Sequence, residues 1–203
     1  SVMHQVVFEG VKGSSARGYI ALDDITSFSA ADCGPTLPPE AVPPITTTTT
    51  TTTQASTTSK AAGPDDCNFD TGFCTWSQDP TGDFEWKRTN EPLDYLLGPS
   101  ADHTWQNATG YFAYVDTRPP QAYNHRCRLK SRTLASGDYA CLEFYYYSDG
   151  VDANALNVYM RSEPSGQLGA PLWTKTRSRG NRWHRADLKI PSGDSISSTT
   201  QYQ

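Results

Sequence analysis

The sequence predicts an all-β protein, a sandwich of two antiparallel sheets accompanied by a long Thr/Pro-rich spacer. Three observations carry that reading. Apolar residues alternate with polar ones over short runs, and Gly, Pro, Asn and Asp clusters punctuate those runs. No 3.6-residue apolar stripe with helix caps occurs anywhere in the chain.

The strands are read in chain order. Tyr19 to Ile25 and Phe112 to Val115 are short apolar candidates. Ala140 to Tyr147, Ala-Cys-Leu-Glu-Phe-Tyr-Tyr-Tyr, is rich in residues that suit a pleated, half-buried surface. Leu156, Val158 and Met160 alternate with Asn157 and Tyr159. His184, Ala186, Leu188 and Ile190 alternate with Arg185, Asp187 and Lys189. Turns are placed at Asp149-Gly150 and over 162–169. Each strand has one apolar face to bury, and two stacked sheets bury them all.

Composition narrows the function. The 203 residues carry a formal net charge of -5 and a pI near 5.3, whereas a nucleic-acid binder needs a basic face. No apolar run reaches the length of a membrane span, so no membrane contact is expected from this segment. A secretory signal pattern is missing at the amino terminus, so in a secreted or anchored parent it would lie outside this piece.

Residues 34–66 contain Pro35, Pro38, Pro39, Pro43, Pro44 and Pro64 and an unbroken threonine run from Thr46 to Thr53. With so little apolar surface to offset the entropy of ordering, this stretch is expected to stay extended and solvated. It reads as a mucin-like O-glycosylated linker or as a plain flexible spacer. The five cysteines, 33, 67, 74, 127 and 141, include no Cys-x-x-Cys pair, and the odd number leaves at least one without a partner here. They read as extracellular disulfides or as reduced core cysteines, and the mucin-like spacer favours the first.

A set of landmarks in order resembles the MAM domain family. Its opening elements match Cys67, Phe69, Asp70, Cys74 and Trp76, followed by Trp86. Gly98, Pro99, Asp102, His103 and Thr104 match the next element, with Leu97 in place of the usual threonine. Gly110-Tyr111, then Cys141, Leu142, Phe144, Tyr146 and Gly150, then Leu156, Val158, Leu172, Trp173 and Trp183 continue the series. The family's closing segment resembles Phe8, Glu9, Gly10, Gly13, Gly18, Ile20, Ala21, Asp23, Asp24, Ile25 and Cys33, yet these precede the opening segment.

The resemblance implies a jelly-roll sandwich, extracellular exposure and an adhesive or oligomerising role. It divides the chain into 1–33, the closing segment of a preceding MAM domain, the linker 34–66, and 67–203, a MAM domain lacking its closing segment. It also implies cysteines paired first with second and third with fourth, hence Cys67 with Cys74. Cys141 would then pair beyond Gln203 and Cys33 before Ser1. The two pieces are, however, complementary, and a linker with a reach of roughly 100 Å easily spans a domain of about 15–16 Å radius of gyration. Two readings stand at this stage: a disordered amino-terminal stub, or residues 1–33 folded back as the missing strands with Cys33 bonded to Cys141.

Catalysis is not expected. The four histidines, 4, 103, 125 and 184, show no metal spacing, and there is no nucleophile elbow or phosphate-cradling loop. Asp102-His103-Thr104 reads as a turn. No cofactor is expected, except that a structural calcium near Asp70, Asp102 and the Asp23-Asp24 pair would suit hard-cation chemistry. Asn107-Ala108-Thr109 is an N-glycosylation sequon, placing a glycan on Asn107. Arg126, Arg128, Lys130 and Arg132 would line one face of an extended strand, as a solvated face or as a patch for an acidic partner or sulfated glycan. Cys127, on the opposite face, reads as a buried thiol or an inter-chain bridge. The tryptophans at family landmarks read as packing, and the Tyr145-Tyr146-Tyr147 run as a source of exposed aromatic surface.

The expected function is protein–protein recognition or adhesion within a secreted or membrane-anchored multi-MAM protein, with other extracellular proteins or like MAM domains as partners. The alternatives are a non-catalytic accessory domain of an ectoenzyme such as a secreted protease, and a carbohydrate-binding module.

Overall fold

A computed structural model of the chain describes residues 3–14, 18–31, 33, 63–93, 98–135, 137–150, 155–162 and 166–191. Leu97 and residues 34–62 of the linker, with the conformation and O-glycosylation expected there, lie outside the described residues. The described residues form ten strands and no helix: β1 (His4–Val11), β2 (Tyr19–Phe28), β3 (Ser77–Gln78), β4 (Lys87–Thr89), β5 (Phe112–Tyr114), β6 (Arg126–Lys130), β7 (Cys141–Asp149), β8 (Leu156–Ser162), β9 (Trp173–Lys175) and β10 (Trp183–Lys189).

They build two antiparallel five-stranded sheets, ordered β3-β6-β1-β8-β9 and β10-β7-β2-β5-β4, in a jelly-roll sandwich. The amino-terminal segment supplies the middle strand of each sheet. In the first sheet Phe8 of β1 sits opposite Leu129 of β6 and Val158 of β8. In the second, Leu22 of β2 sits opposite Ala113 of β5 and Tyr146 of β7. Without residues 4–28 each sheet would fall into two separate strand pairs.

The core lies between the sheets. Phe8, fully buried, meets Phe144 edge to face at 4.9 Å between ring centroids and Trp76 at 5.3 Å. Burial of a phenylalanine of this kind contributes about 1.5–3 kcal/mol. On β10, Ala186 and Leu188 face the core while Arg185, Asp187 and Lys189 face water, the alternation of an edge strand with one wet side. Gly10 is needed where β1 lies opposite Cys127 of β6, because a Cβ there would lie 2.5 Å from Val115 Cγ2 and 3.1 Å from Cys127 Sγ.

Disulfides join Cys33 to Cys141 and Cys67 to Cys74, each with Cα atoms 5.8 Å apart. The first closes across 108 positions and the second across 7, for which chain entropy gives about 4.5–5 and about 2.5 kcal/mol respectively. The fold also takes up residues 63–66, which composition assigned to the linker. Asp66 accepts hydrogen bonds from the Ser27 backbone N–H (2.8 Å) and the Gly63 N–H (2.7 Å). The Asp65 carbonyl accepts the Trp76 indole N–H at 3.0 Å. These carboxylates and carbonyls make local contacts that apolar patterning does not register.

Candidate functional site

β2 carries the feature that builds the site. Its pairing with β7 runs Asp23↔Tyr145 and then Thr26↔Glu143, one residue longer on β2, so a β-bulge interrupts the ladder. Asp24 takes a left-handed φ of 46°, which a short acidic side chain tolerates. Ile25 leaves the β7 ladder and exchanges two 2.8 Å backbone hydrogen bonds with Cys67. The bulge thereby aims both carboxylates at the segment 98–111.

Four carboxylates hold that segment. Asp23 is fully buried and accepts the His103 backbone N–H at 2.8 Å. Burial, followed by the neighbouring charge of Asp24, raises its pKa to about 8, against the backbone hydrogen bonds it accepts. Asp24 Oδ2 lies 2.7 Å from His103 Nδ1, and the Thr104 hydroxyl donates to the same carboxylate at 2.6 Å. The His103 ring stacks on Tyr145 at 3.4 Å. Asp102, 2% exposed, accepts the Trp105 N–H at 2.7 Å and the Asn107 N–H at 3.4 Å. Asp70 accepts the Tyr111 N–H at 3.0 Å and the Trp105 indole N–H at 3.2 Å.

Asp23, Asp70 and Asp102, the residues proposed from sequence as cation ligands, thus engage backbone and indole N–H groups along a single loop. Among the described residues no group of three or more His, Cys, Asp or Glu side chains is arranged to hold a metal ion. What the carboxylates present is a fixed backbone with outward side chains: residues 104–109 are all exposed, and Trp105 is 58% exposed. The sequon asparagine Asn107 sits at the tip of this loop. Beside the loop a cleft of about 460 Å³ runs between Pro99, Asp102, His103 and Trp183.

The outer face of the first sheet carries a second concavity, of about 600 Å³, lined by Glu9, Arg126, Arg128, Asn157, Tyr159 and Gln167 among others. Glu9 points outward yet is 3% exposed. It accepts from Arg128 Nε (2.7 Å), Asn157 Nδ2 (3.2 Å) and the Tyr159 hydroxyl (3.0 Å). The four-cation face expected on β6 is therefore not an open basic patch. Arg128 is engaged by Glu9, and Arg132, beyond the strand end, lies 3.0 Å from Asp65 and 3.1 Å from Asp138. Arg126 remains exposed at the groove and, among the described residues, has no side-chain ion pair.

One further sequence expectation is corrected, and of the two readings of Cys127 the structure takes the buried thiol. The tyrosine run is not an exposed patch: Tyr146 is in the core, Tyr147 is 1% exposed against Trp183, and Tyr145 lies under His103. Among the described residues the exposed large aromatics are Trp105 and, at 72%, Tyr123. Cys127 is fully buried with its Sγ 3.7 Å from the Gly10 carbonyl, so it offers no inter-chain bridge, and burial pushes its thiol pKa far up. Of the landmark tryptophans, Trp76 and Trp86 are buried, and Trp173 and Trp183 pack edge-on against Phe144 and Phe112.

Fold and site together define a disulfide-linked all-β module that presents loops and a groove. The chain belongs to the MAM domain family: the family described as MAM domain, meprin/A5/mu, matches residues 67–201. MAM domains are extracellular, non-catalytic modules of the adhesion type. Among curated proteins, MAM domain-containing glycosylphosphatidylinositol anchor protein 1 of Homo sapiens is 32% identical over 135 residues, covering 63% of this chain and 14% of that protein. Anchor protein 2 of Mus musculus is 28% identical over 146 residues, covering 64% of this chain and 15% of that protein. The chain spans only 14–15% of the length of these relatives. No solved structure matches it.

Proposed function

We propose that the chain is a recognition module of a larger cell-surface or secreted protein with more than one MAM domain, and that it binds a protein partner through the outer face of its first sheet. In this reading residues 1–33 carry the closing segment of one MAM repeat, 34–66 a spacer and 67–203 the body of the next. The carrying observation is the groove at Glu9, Arg126 and Tyr159. Its floor is fixed by saturated hydrogen bonds, while Arg126 is exposed and, among the described residues, without a side-chain ion pair. A rigid polar concavity with an exposed arginine at its edge suits an acidic side chain on another extracellular protein or on a like MAM domain. Tyr123, adjacent in sequence to the groove residue Asn124, adds an exposed aromatic contact of the kind enriched at interfaces. The relatives' glycosylphosphatidylinositol anchors suggest the cell surface as the site of action.

The test uses beads coated with the full secreted chain, scored for mutual clustering and for binding to cells. Wild-type beads are expected to cluster or bind, and Arg126→Glu beads to do so on the order of tenfold more weakly. Lys189→Glu, on the edge of the other sheet, should behave as wild type. Equal binding by Arg126→Glu would reject the groove, and inert wild-type beads would reject the recognition role.

A further inference from the structure

The loop held by the carboxylates has a chemistry of its own. We propose that Asn107 is an N-glycosylation site and that the exposed face of the Trp105 indole is the platform on which its first N-acetylglucosamine packs.

The loop geometry points to both parts. Asn107 Oδ1 accepts the Thr109 backbone N–H at 2.8 Å and the Thr109 hydroxyl at 2.5 Å. That network identifies the oxygen and leaves Nδ2, the atom to be modified, directed to solvent with no hydrogen bond among the described residues. The modification joins Asn107 Nδ2 to the anomeric carbon of a lipid-diphosphate-linked oligosaccharide. The carbon–oxygen bond to the diphosphate breaks, the lipid diphosphate departs with the bonding pair, and the amide proton passes to a base of the secretory-pathway transferase.

Trp105 lies two residues before Asn107, and Gln106 between them takes a left-handed φ of 53°, which folds the chain back. The backbone N–H groups of both Trp105 and Asn107 end on one carboxylate, that of Asp102. Asp70 fixes the indole by its N–H, and Asn90 Nδ2 donates to the Ala108 carbonyl at 3.0 Å on the far side. An indole that is anchored at its polar edge yet 58% exposed presents much of its apolar ring surface to solvent. The C–H face of a pyranose is an apolar surface of matching size, and stacking of this kind is sequence-local and needs no further residue. The sugar would shield this end of the second sheet, leaving the groove on the other sheet open.

The inference rests on passage of the chain through the secretory pathway, as the recognition reading does. The full chain is therefore produced by secretion from cultured eukaryotic cells. Peptide mapping before and after amidase release of N-glycans is expected to show a glycan on Asn107. A secreted, disulfide-bonded protein with unmodified Asn107 would overturn the site while leaving the extracellular reading intact. Retention inside the cell with reduced cysteines would overturn that reading and the site with it.

The role of Trp105 is read from proteins trimmed to a single N-acetylglucosamine. The sugar should raise Tm over the Asn107→Gln protein by roughly 2–4 °C, and by far less when both carry Trp105→Ala. Equal gains with and without the indole would reject the platform. A second readout on the wild type is independent of any substitution. The acetyl methyl protons should move upfield in the indole ring current, and an unshifted methyl, as when Trp105 contacts a protein partner instead, would also reject it.

Discussion

Asp24 and His103 stand 79 positions apart, yet Oδ2 of one lies 2.7 Å from Nδ1 of the other. The contact joins the amino-terminal segment to the body of the module at the site itself. The segment that completes both sheets also holds the exposed loop, so folding and presentation are linked through β2.

Gly110 sets the position of the carboxylate that curls this loop. A Cβ at Gly110 would sit 2.2 Å from Asp102. Gly110→Ala is expected to displace Asp102 from the Trp105 and Asn107 amides. Amide exchange at those two positions should speed by tenfold or more, with the exchange of the β7 core unchanged. Unaltered exchange at the loop would show that Asp102 does not hold it.

Arg161 and Asp79 form an ion pair in which the side chains are 6% and 1% exposed, and Arg161 also donates to Gln5. Removing Asp79 takes a buried, hydrogen-bonded charge out of this network. Asp79→Ala should therefore cost about 3–5 kcal/mol in urea unfolding. A loss below about 1 kcal/mol would place the pair in water.

Asp116 gives stability a pH dependence of known sign. Hydrogen bonds from Arg118, then from Lys87, hold its carboxyl well below the usual carboxylate range despite partial burial. Its contribution is complete above the unfolded-state value of about 4 and is lost as pH falls through the lower folded value. The stability advantage of wild type over Asp116→Asn should thus shrink between pH 5 and pH 2. An advantage that stays constant across that range would contradict it.

Cys127 should resist alkylation by iodoacetamide in the native protein and react fully after denaturation, because its thiol is both inaccessible and held protonated by burial. Rapid native labelling would contradict that placement.

The sequence made the strands with one wet face legible. On β10 the alternation of Ala186 and Leu188 with exposed polar residues is the signal itself, and on β8 Leu156 and Val158 alternate with Asn157 and Tyr159 although Asn157 is buried against Glu9. β1 was legible only as part of a family segment, because as a central strand with a covered outer face it buries Gln5 and Glu9 alongside Val6 and Phe8. Its alternation does not separate wet from dry. β3, β4 and β9, of two or three residues, fall below any periodicity. The site was half legible. Asp23, Asp70, Asp102 and Asn107 were all singled out, but their convergence depends on a bulge and on contacts across about 80 positions. The pairing of Arg128 with Glu9 and of Arg132 with Asp65 is equally long-range, which is why an apparent cationic face proved mostly neutralised.

Residues 4–33 complete the sandwich of residues 63–191 within one chain. Non-reducing peptide mapping of the monomeric secreted protein tests it most directly. Cys33 and Cys141 are expected in a single disulfide-linked peptide pair that reduction separates. Recovery of the two cysteines on unlinked peptides, with Cys67 and Cys74 still bridged, would contradict it.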